Sequence, residues 1–212
     1  MRFHDRIDAG RQLAAALTEY EGRPDVVVLG LPRGGVPVAH EVARQLHVAL
    51  DVCLVRKLGV PGHVELAMGA IADGGVEVLS LDLIRDLGIP RQTVEQIAVR
   101  ERLELERRDR VYRAGRPPAS VNERIVLLVD DGLATGSTME AAIRVLRTQA
   151  PAKVVVAVPV GPRETCERLR TIADQVVCLS MPEPFEAVGA WYEAFPQTTD
   201  DEIMRLLGPT RT

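Results

Sequence analysis

Asp25–Gly30 reads DVVVLG, Arg124–Asp130 reads RIVLLVD and Lys153–Val160 reads KVVVAVPV. Runs this short, this apolar and this rich in β-branched residues have no polar face to offer water. Each fits a strand covered on both sides of a sheet. Similar but weaker runs lie at Leu50–Arg56 and Gln175–Leu179. Helical periodicity fills the intervals. Ile7, Gly10, Leu13, Ala14 and Leu17 share one face of a helix over 7–20. Val38, Ala39, Val42, Ala43 and Leu46 do the same behind Pro37, which suits a first helical turn. Ser137–Gln149 turns Met139, Ala142, Ile143 and Leu146 inward, and Arg163–Ile172 is a shorter helix. Strands alternating with helices imply an α/β fold, a mainly parallel sheet with helices on both faces, whose ligands sit at the carboxyl ends of the strands.

The middle of the chain departs from that rhythm. Lys57–Val64, with two glycines and a proline, reads as a loop. Met68–Ala72 and Val76–Leu79 flank Asp73-Gly74-Gly75 as a hairpin, and Ser80 can cap a short helix that Gly88 ends. Residues 91–113 form a long charged helix with Glu104/Arg108, Glu106/Arg110 and Asp109/Arg113 at i,i+4. Five Arg stand among four acids over 100–110, so this is a solvated face rather than a nucleic-acid stripe. Ala114–Val121 is the clearest internal connection.

The 212 residues suit one domain, 1–212, and with only 3% aromatics its core must be Val, Leu, Ile and Ala. A net charge of −4 gives no general pull toward nucleic acid or an anionic membrane. Cys53, Cys166 and Cys178 show neither a disulfide framework nor zinc spacing and read as small buried hydrophobes. A polar first twenty residues and the lack of a long apolar run read as cytoplasmic.

The chemistry concentrates at Val126–Ala142, VLLVDDGLATGSTMEAA. A buried strand ends in two acids, Asp130 and Asp131, then Gly132-Leu133-Ala134-Thr135-Gly136-Ser137-Thr138 leads into a helix. Successive N–H groups of such a turn, at a helix N-terminus, make an anion site, and the hydroxyls of Thr135, Ser137 and Thr138 add donors. Carboxylates would repel that anion directly. They suit ribose hydroxyls or Mg²⁺-bound water a few ångströms away. A P-loop would need a Lys after Gly136, and neither an EF-hand nor a dinucleotide fingerprint fits the spacing. A plain N-cap with solubilising acids leaves two adjacent acids at a buried strand end unexplained.

This segment resembles the 5-phosphoribosyl-1-pyrophosphate (PRPP) motif of type I phosphoribosyltransferases, with Gly132 replacing the usual apolar residue after the acid pair. LPRGG (Leu31–Gly35), RKLGVPGHVELAMGA (Arg56–Ala70) and FEAVGAWYEAF (Phe185–Phe195) extend the likeness to bacterial phosphoribosyltransferase-like proteins over nearly the whole chain, some of them fused to hydrolases. The resemblance implies a Mg²⁺-dependent transferase, homodimeric, with PRPP as donor and a nitrogenous base as acceptor. Asp130 and Asp131 would hold ribose hydroxyls or the metal, through water. Residues 132–138 would hold the 5′-phosphate. Arg33, Gly34 and Gly35 would grip the pyrophosphate in a loop that often carries a strained or cis peptide. Lys57, at the end of a sheet strand, would be the better candidate for a second pyrophosphate contact, since Arg56 could be structural. Leu58–Glu65 would be a lid in which His63 and Glu65 face solvent or ligand.

An acceptor hood is implied at about 181–212, with the N-terminal helix. Phe185, Trp191, Tyr192 and Phe195 are four of the seven aromatics, and the helical spacing of Phe185, Val188, Tyr192 and Phe195 favours core packing over stacking. Trp191 and Phe185 are the acceptor candidates. The motif is shared with PRPP-sensing regulators, so a non-catalytic PRPP binder stays open, whereas a hydrolase lacks a nucleophile elbow or metal cluster. Asp131, at an exposed strand end, is expected to be functional rather than structural.

Overall fold

The computed structural model describes residues 2–208, apart from the side chains of Val64 and Glu65. The expectation for Glu65 as a lid residue, and the last residues of the proposed hood, 209–212, therefore lie outside the described residues. In chain order the elements are α1 (Arg6–Ala15), β1 (Val26–Gly30), α2 (Gly35–Leu46), β2 (Ala49–Val52), β3 (Val55–Val60), β4 (His63–Ala72), β5 (Glu77–Leu79), α3 (Leu81–Asp86), α4 (Arg91–Arg113), β6 (Ile125–Val129), α5 (Ser137–Arg147), β7 (Lys153–Val160), α6 (Arg163–Leu169), β8 (Gln175–Ser180) and α7 (Asp200–Leu207). Short 3₁₀ turns occupy Thr18–Tyr20, Asp73–Gly75 and Val188–Trp191.

Five strands form a parallel sheet in the order β2-β1-β6-β7-β8. Alternate residues of each apolar run face opposite sides, as the two-residue period of a strand requires. Val26, Val28, Leu127 and Val129 pack under α1 and α2. Val27, Leu29, Val126 and Leu128 pack under α5 and α6. The continuous apolar runs are thus explained: β1 and β6 are buried throughout. The helix after β1 crosses one face and the helix after β6 the other, so the chain diverges between these neighbouring strands. The crevice left there, at the carboxyl edge, is the usual ligand position of an open α/β sheet.

Two expectations are corrected here. The run Leu50–Arg56 is not one strand. β2 ends at Val52, and the chain leaves the sheet to start β3 in a separate antiparallel sheet, β3-β4-β5. Cys53 N–H still bonds to Gly30 O, but the Val52 carbonyl is taken by Arg113 Nη2 at 2.7 Å. A change of sheet inside a uniformly apolar run leaves no local signature. The stretch Lys57–Val64 is likewise no open loop but the tip of the β3–β4 hairpin. Its glycines mark a register shift at Leu58/Gly59 and a turn at Gly62, where φ is +78°.

The long helix α4 has the expected bounds, and Glu104–Arg108 and Asp109–Arg113 pair at 2.7 Å. Arg113, however, turns inward. Only 3% of its side chain is exposed, where it meets Asp51 at 3.1 Å and also Asp73. The helix therefore has a charged anchor as well as a solvated face. All three cysteines are free thiols, two of them buried.

Candidate functional site

Asp130 and Asp131 stand where β6 stops, facing the loop that leaves β1. Contact between these two segments is close. A Cβ added to Gly34 would lie 1.9 Å from Asp131 Oδ2, and one added to Gly35 would lie 2.8 Å from Asp130 Cα. Glycine is required at both because the acids fill the space a side chain would take. The peptide Pro32–Arg33 in this loop is cis, as the resemblance implies. Arg33 itself is exposed, near Asp200 of α7, whose carboxyl is held below its ordinary value by its hydrogen bond with Tyr112, with Arg107 and Arg33 adding to the effect.

The acid pair is not the exposed feature expected of a strand end. Only 14% of the Asp131 side chain is exposed, and its Oδ2 accepts a hydrogen bond from Arg6 Nε at 2.8 Å. Burial pushes the Asp131 carboxyl up, opposed by Arg6. Asp130 is pushed well up, by burial first and by the neighbouring Asp131 charge second. Asp130 Oδ1 accepts the Asp131 N–H at 2.8 Å. Two carboxyls so placed, with Arg6 too weak a counterweight to reverse either shift, form a site short of positive charge.

The loop that follows divides into two parts. Gly132 and Leu133 belong to the core side. Leu133 is buried and its N–H bonds to Val160 O at 2.8 Å, so that N–H is not offered to an anion. Gly132 is buried beneath Val188, and a Cβ there would meet Val188 Cγ1 at 2.6 Å. The departure at 132 thus has a cause: Val188 fills the volume that a larger side chain there would occupy. Ala134, Thr135 and Thr138 are exposed, and Gly136, with φ +73°, precedes the first turn of α5. Thr135 Oγ1 and Ser137 Oγ lie 3.2 Å apart. Helix α6 clamps this exposed part from behind. Thr165 Oγ1 donates to Ala134 O at 3.0 Å, Arg168 Nη2 donates to Thr135 O, and Arg168 Nη1 pairs with Glu140 at 2.8 Å.

Lys57 lies in β3, not at the end of a parallel strand, and its Nζ donates to Ser137 Oγ at 3.0 Å. It is therefore brought to the 135–138 loop. Arg56 pairs with Glu101 of α4 at 2.6 Å, a structural contact as expected. His63 is exposed at the hairpin tip.

The aromatic segment is a short 3₁₀ turn rather than a helix. It pairs with the N-terminal residues: Phe3 N–H bonds to Trp191 O at 2.8 Å, and Glu193 N–H to Phe3 O at 2.9 Å. Tyr192 is buried between Phe3 and Phe195, with ring centroids 5.5 and 4.9 Å away, and its hydroxyl donates to Asp131 O at 2.5 Å. Trp191 and Phe185 are half-buried, and Trp191 Nε1 is buried with no hydrogen-bond partner among the described residues. Arg6, Thr165 and Arg168 were not foreseen. Each acts across the fold from an ordinary helix, and no local pattern marks it.

Among the described residues no group of three or more His, Cys, Asp or Glu forms a metal cluster, and no helix is long and apolar enough to cross a membrane. The family model of the phosphoribosyl transferase domain matches residues 2–193. Two Mycobacterium tuberculosis proteins, from strains CDC 1551 and H37Rv and provisionally named phosphoribosyl transferases, are 49% identical over 205 residues. The match covers 97% of this chain and 46% of theirs, so the chain spans about half the length of these relatives. The crystal structure of TT1426 from Thermus thermophilus is 50% identical, with a TM-score of 0.89 and 98% of both chains covered. The chain therefore belongs to the phosphoribosyl transferase family.

Proposed function

We propose that the protein binds PRPP with Mg²⁺ and transfers its phosphoribosyl group to a nitrogen nucleophile, releasing pyrophosphate. The observation that carries this reading is the contact between Asp131 and Gly34, which sets the acid pair against the glycine loop at the point where β1 and β6 diverge. An exposed hydroxyl loop backed by α6 suits the 5′-phosphate. The glycine loop with Arg33 suits the pyrophosphate, and the acids between them suit the ribose hydroxyls. Lys57, beside Ser137, is a cation for either phosphate.

Mg²⁺ fits the donor set. Asp130 and Asp131 supply hard oxygens in a region short of positive charge, and Mg²⁺ takes few protein ligands beside substrate phosphates and water. When bound, the ion would neutralise the departing pyrophosphate. In the reaction the C1–O bond to pyrophosphate breaks, its electron pair leaving with the pyrophosphate, as the acceptor nitrogen bonds to C1 with inversion, and the nitrogen's proton passes to a carboxylate of the acid pair or to solvent. The sugar becomes cationic on the way, so the protein's part is to fix ribose and leaving group and to keep water out. The segment 58–65 is the lid in this reading, and residues from about 181 onward, with the N-terminal helix, are the hood of a single domain. The unpartnered Trp191 Nε1 supports an acceptor carrying a hydrogen-bonding heteroatom.

Thermal unfolding tests the donor assignment. At a hundred times its dissociation constant, PRPP with Mg²⁺ should stabilise the native state by about 2.7 kcal/mol. Ribose 5-phosphate should do so more weakly, and no shift with millimolar PRPP and Mg²⁺ would reject the reading. A base panel monitored by pyrophosphate release then identifies the acceptor.

A further inference from the structure

Arg6 opens α1, remote in sequence from every motif of the site. Its side chain is nonetheless only 11% exposed. Nε bonds to Asp131 Oδ2 at 2.8 Å, Nη1 bonds to Pro196 O at 2.7 Å, and the guanidinium lies 3.8 Å from the centre of the Phe195 ring. One planar cation thus reaches the acid pair, a hood carbonyl and a hood aromatic together. Such a fork suits arginine, because a lysine ammonium is a single point charge without a stacking plane.

The hood meets the acid pair and its loop at two further points. Tyr192 hydroxyl donates to the Asp131 carbonyl, and Val188 covers Gly132. It is also attached to the N-terminal segment, through the Phe3–Trp191 and Phe3–Glu193 backbone bonds and Ala194 N–H to His4 O at 2.9 Å. Residues 3–6 and 185–196 therefore form one unit, hung on Asp131 and Gly132. The Asp131 carboxylate is at the same time packed against Gly34 of the opposite loop. Any ligand that settles between Gly34 and Asp131 must adjust this carboxylate, and Arg6 is bonded to it.

We propose that Arg6 is a positioning residue that transmits occupancy of the donor site to the acceptor hood. The proposal rests on the donor site described above and names the coupling that would order the two substrates. Donor binding fixes Asp131. Arg6 carries that constraint to Phe195 and Pro196, and the hood around Trp191 tightens before the acceptor enters. A merely structural ion pair would hold α1 in place without linking the two regions.

Hydrogen exchange read by mass spectrometry separates these cases, with wild type, Arg6→Gln and Arg6→Lys each measured with and without PRPP and Mg²⁺. In the wild-type protein PRPP should slow exchange both in 128–136 and in 185–196. In Arg6→Lys, which keeps a cation for Asp131 and preserves the fold, PRPP should still protect 128–136. Protection of 185–196 should be lost, and Arg6→Gln should lose it too, with PRPP binding roughly tenfold weaker. Undiminished protection of 185–196 in Arg6→Lys would overturn the proposal. If PRPP protects neither segment of the wild-type protein, the donor assignment fails and the proposal that rests on it is overturned with it.

Discussion

Asp130 occupies its position against its own preference. Burial and the Asp131 charge raise its pKa above the ordinary value of 3.8, so folding shifts its balance toward the neutral form. For a raised acid, stability is greatest below the unfolded pKa and declines as pH rises through the folded one. At neutral pH the pair therefore weakens the fold, as strained functional groups often do. Asp130→Asn should raise the melting temperature at pH 7, with about 2–4 °C for each kcal/mol recovered in a chain of this size. The same change should weaken PRPP binding. The gain in stability should shrink as pH falls toward the ordinary carboxylate range, and a melting temperature lowered at pH 7 would contradict the account. The acid pair and its hydroxyl loop were legible in the sequence because they are built from consecutive residues, so spacing alone carries the signal. Arg6 was not legible: its partners Asp131 and Pro196 are brought to it only by the fold. Asp131 was misjudged as exposed for the same reason, since its cover comes from Arg6 of α1 and from Tyr192.

Two elements were legible in outline and misread in role. The glycines of β3–β4 mark a bulge and a turn as readily as a loop, and only strand pairing decides between them. Lys57 consequently arrives at Ser137 from a hairpin rather than from a strand of the parallel sheet. Lys57→Ala should lower turnover more than PRPP affinity if the protein stabilises a transition state. Equal loss of affinity with no detectable pyrophosphate release from any base would instead describe a PRPP sensor. Helix α4 was read from its i,i+4 pairs as solvated, and its last turn shows the limit of that reading. Arg113 joins Asp51, Asp73 and Asp109 and takes the Val52 carbonyl where the chain changes sheets. Arg113→Met would strand buried carboxylates, and burial already raises Asp73 despite the arginine. A loss of roughly 3–5 kcal/mol in denaturant unfolding is expected. A loss below about 1 kcal/mol, the range of an exposed pair, would show that water reaches those acids.

At the scale of the molecule, alternating apolar runs and helices identified the parallel sheet, because a strand buried on both faces has few other homes. The strand order needed tertiary contacts that no run of residues encodes. That order has a consequence in time. β1 pairs with β6, Val26 beside Ile125, so the loop at Gly34 has no partner until the acids at 130–131 have been made. Synthesis at roughly 5–20 residues per second puts about 5–20 s between them. Arg6 waits longer still, until Phe195 and Pro196 emerge. A ribosome-bound chain stopped at Ala114 should retain no PRPP, and one stopped at Gln149 should lack the hood. In the PRPP-binding reading the donor side is thus complete before the hood, and residues 3–6 find their place only once 191–196 have been made.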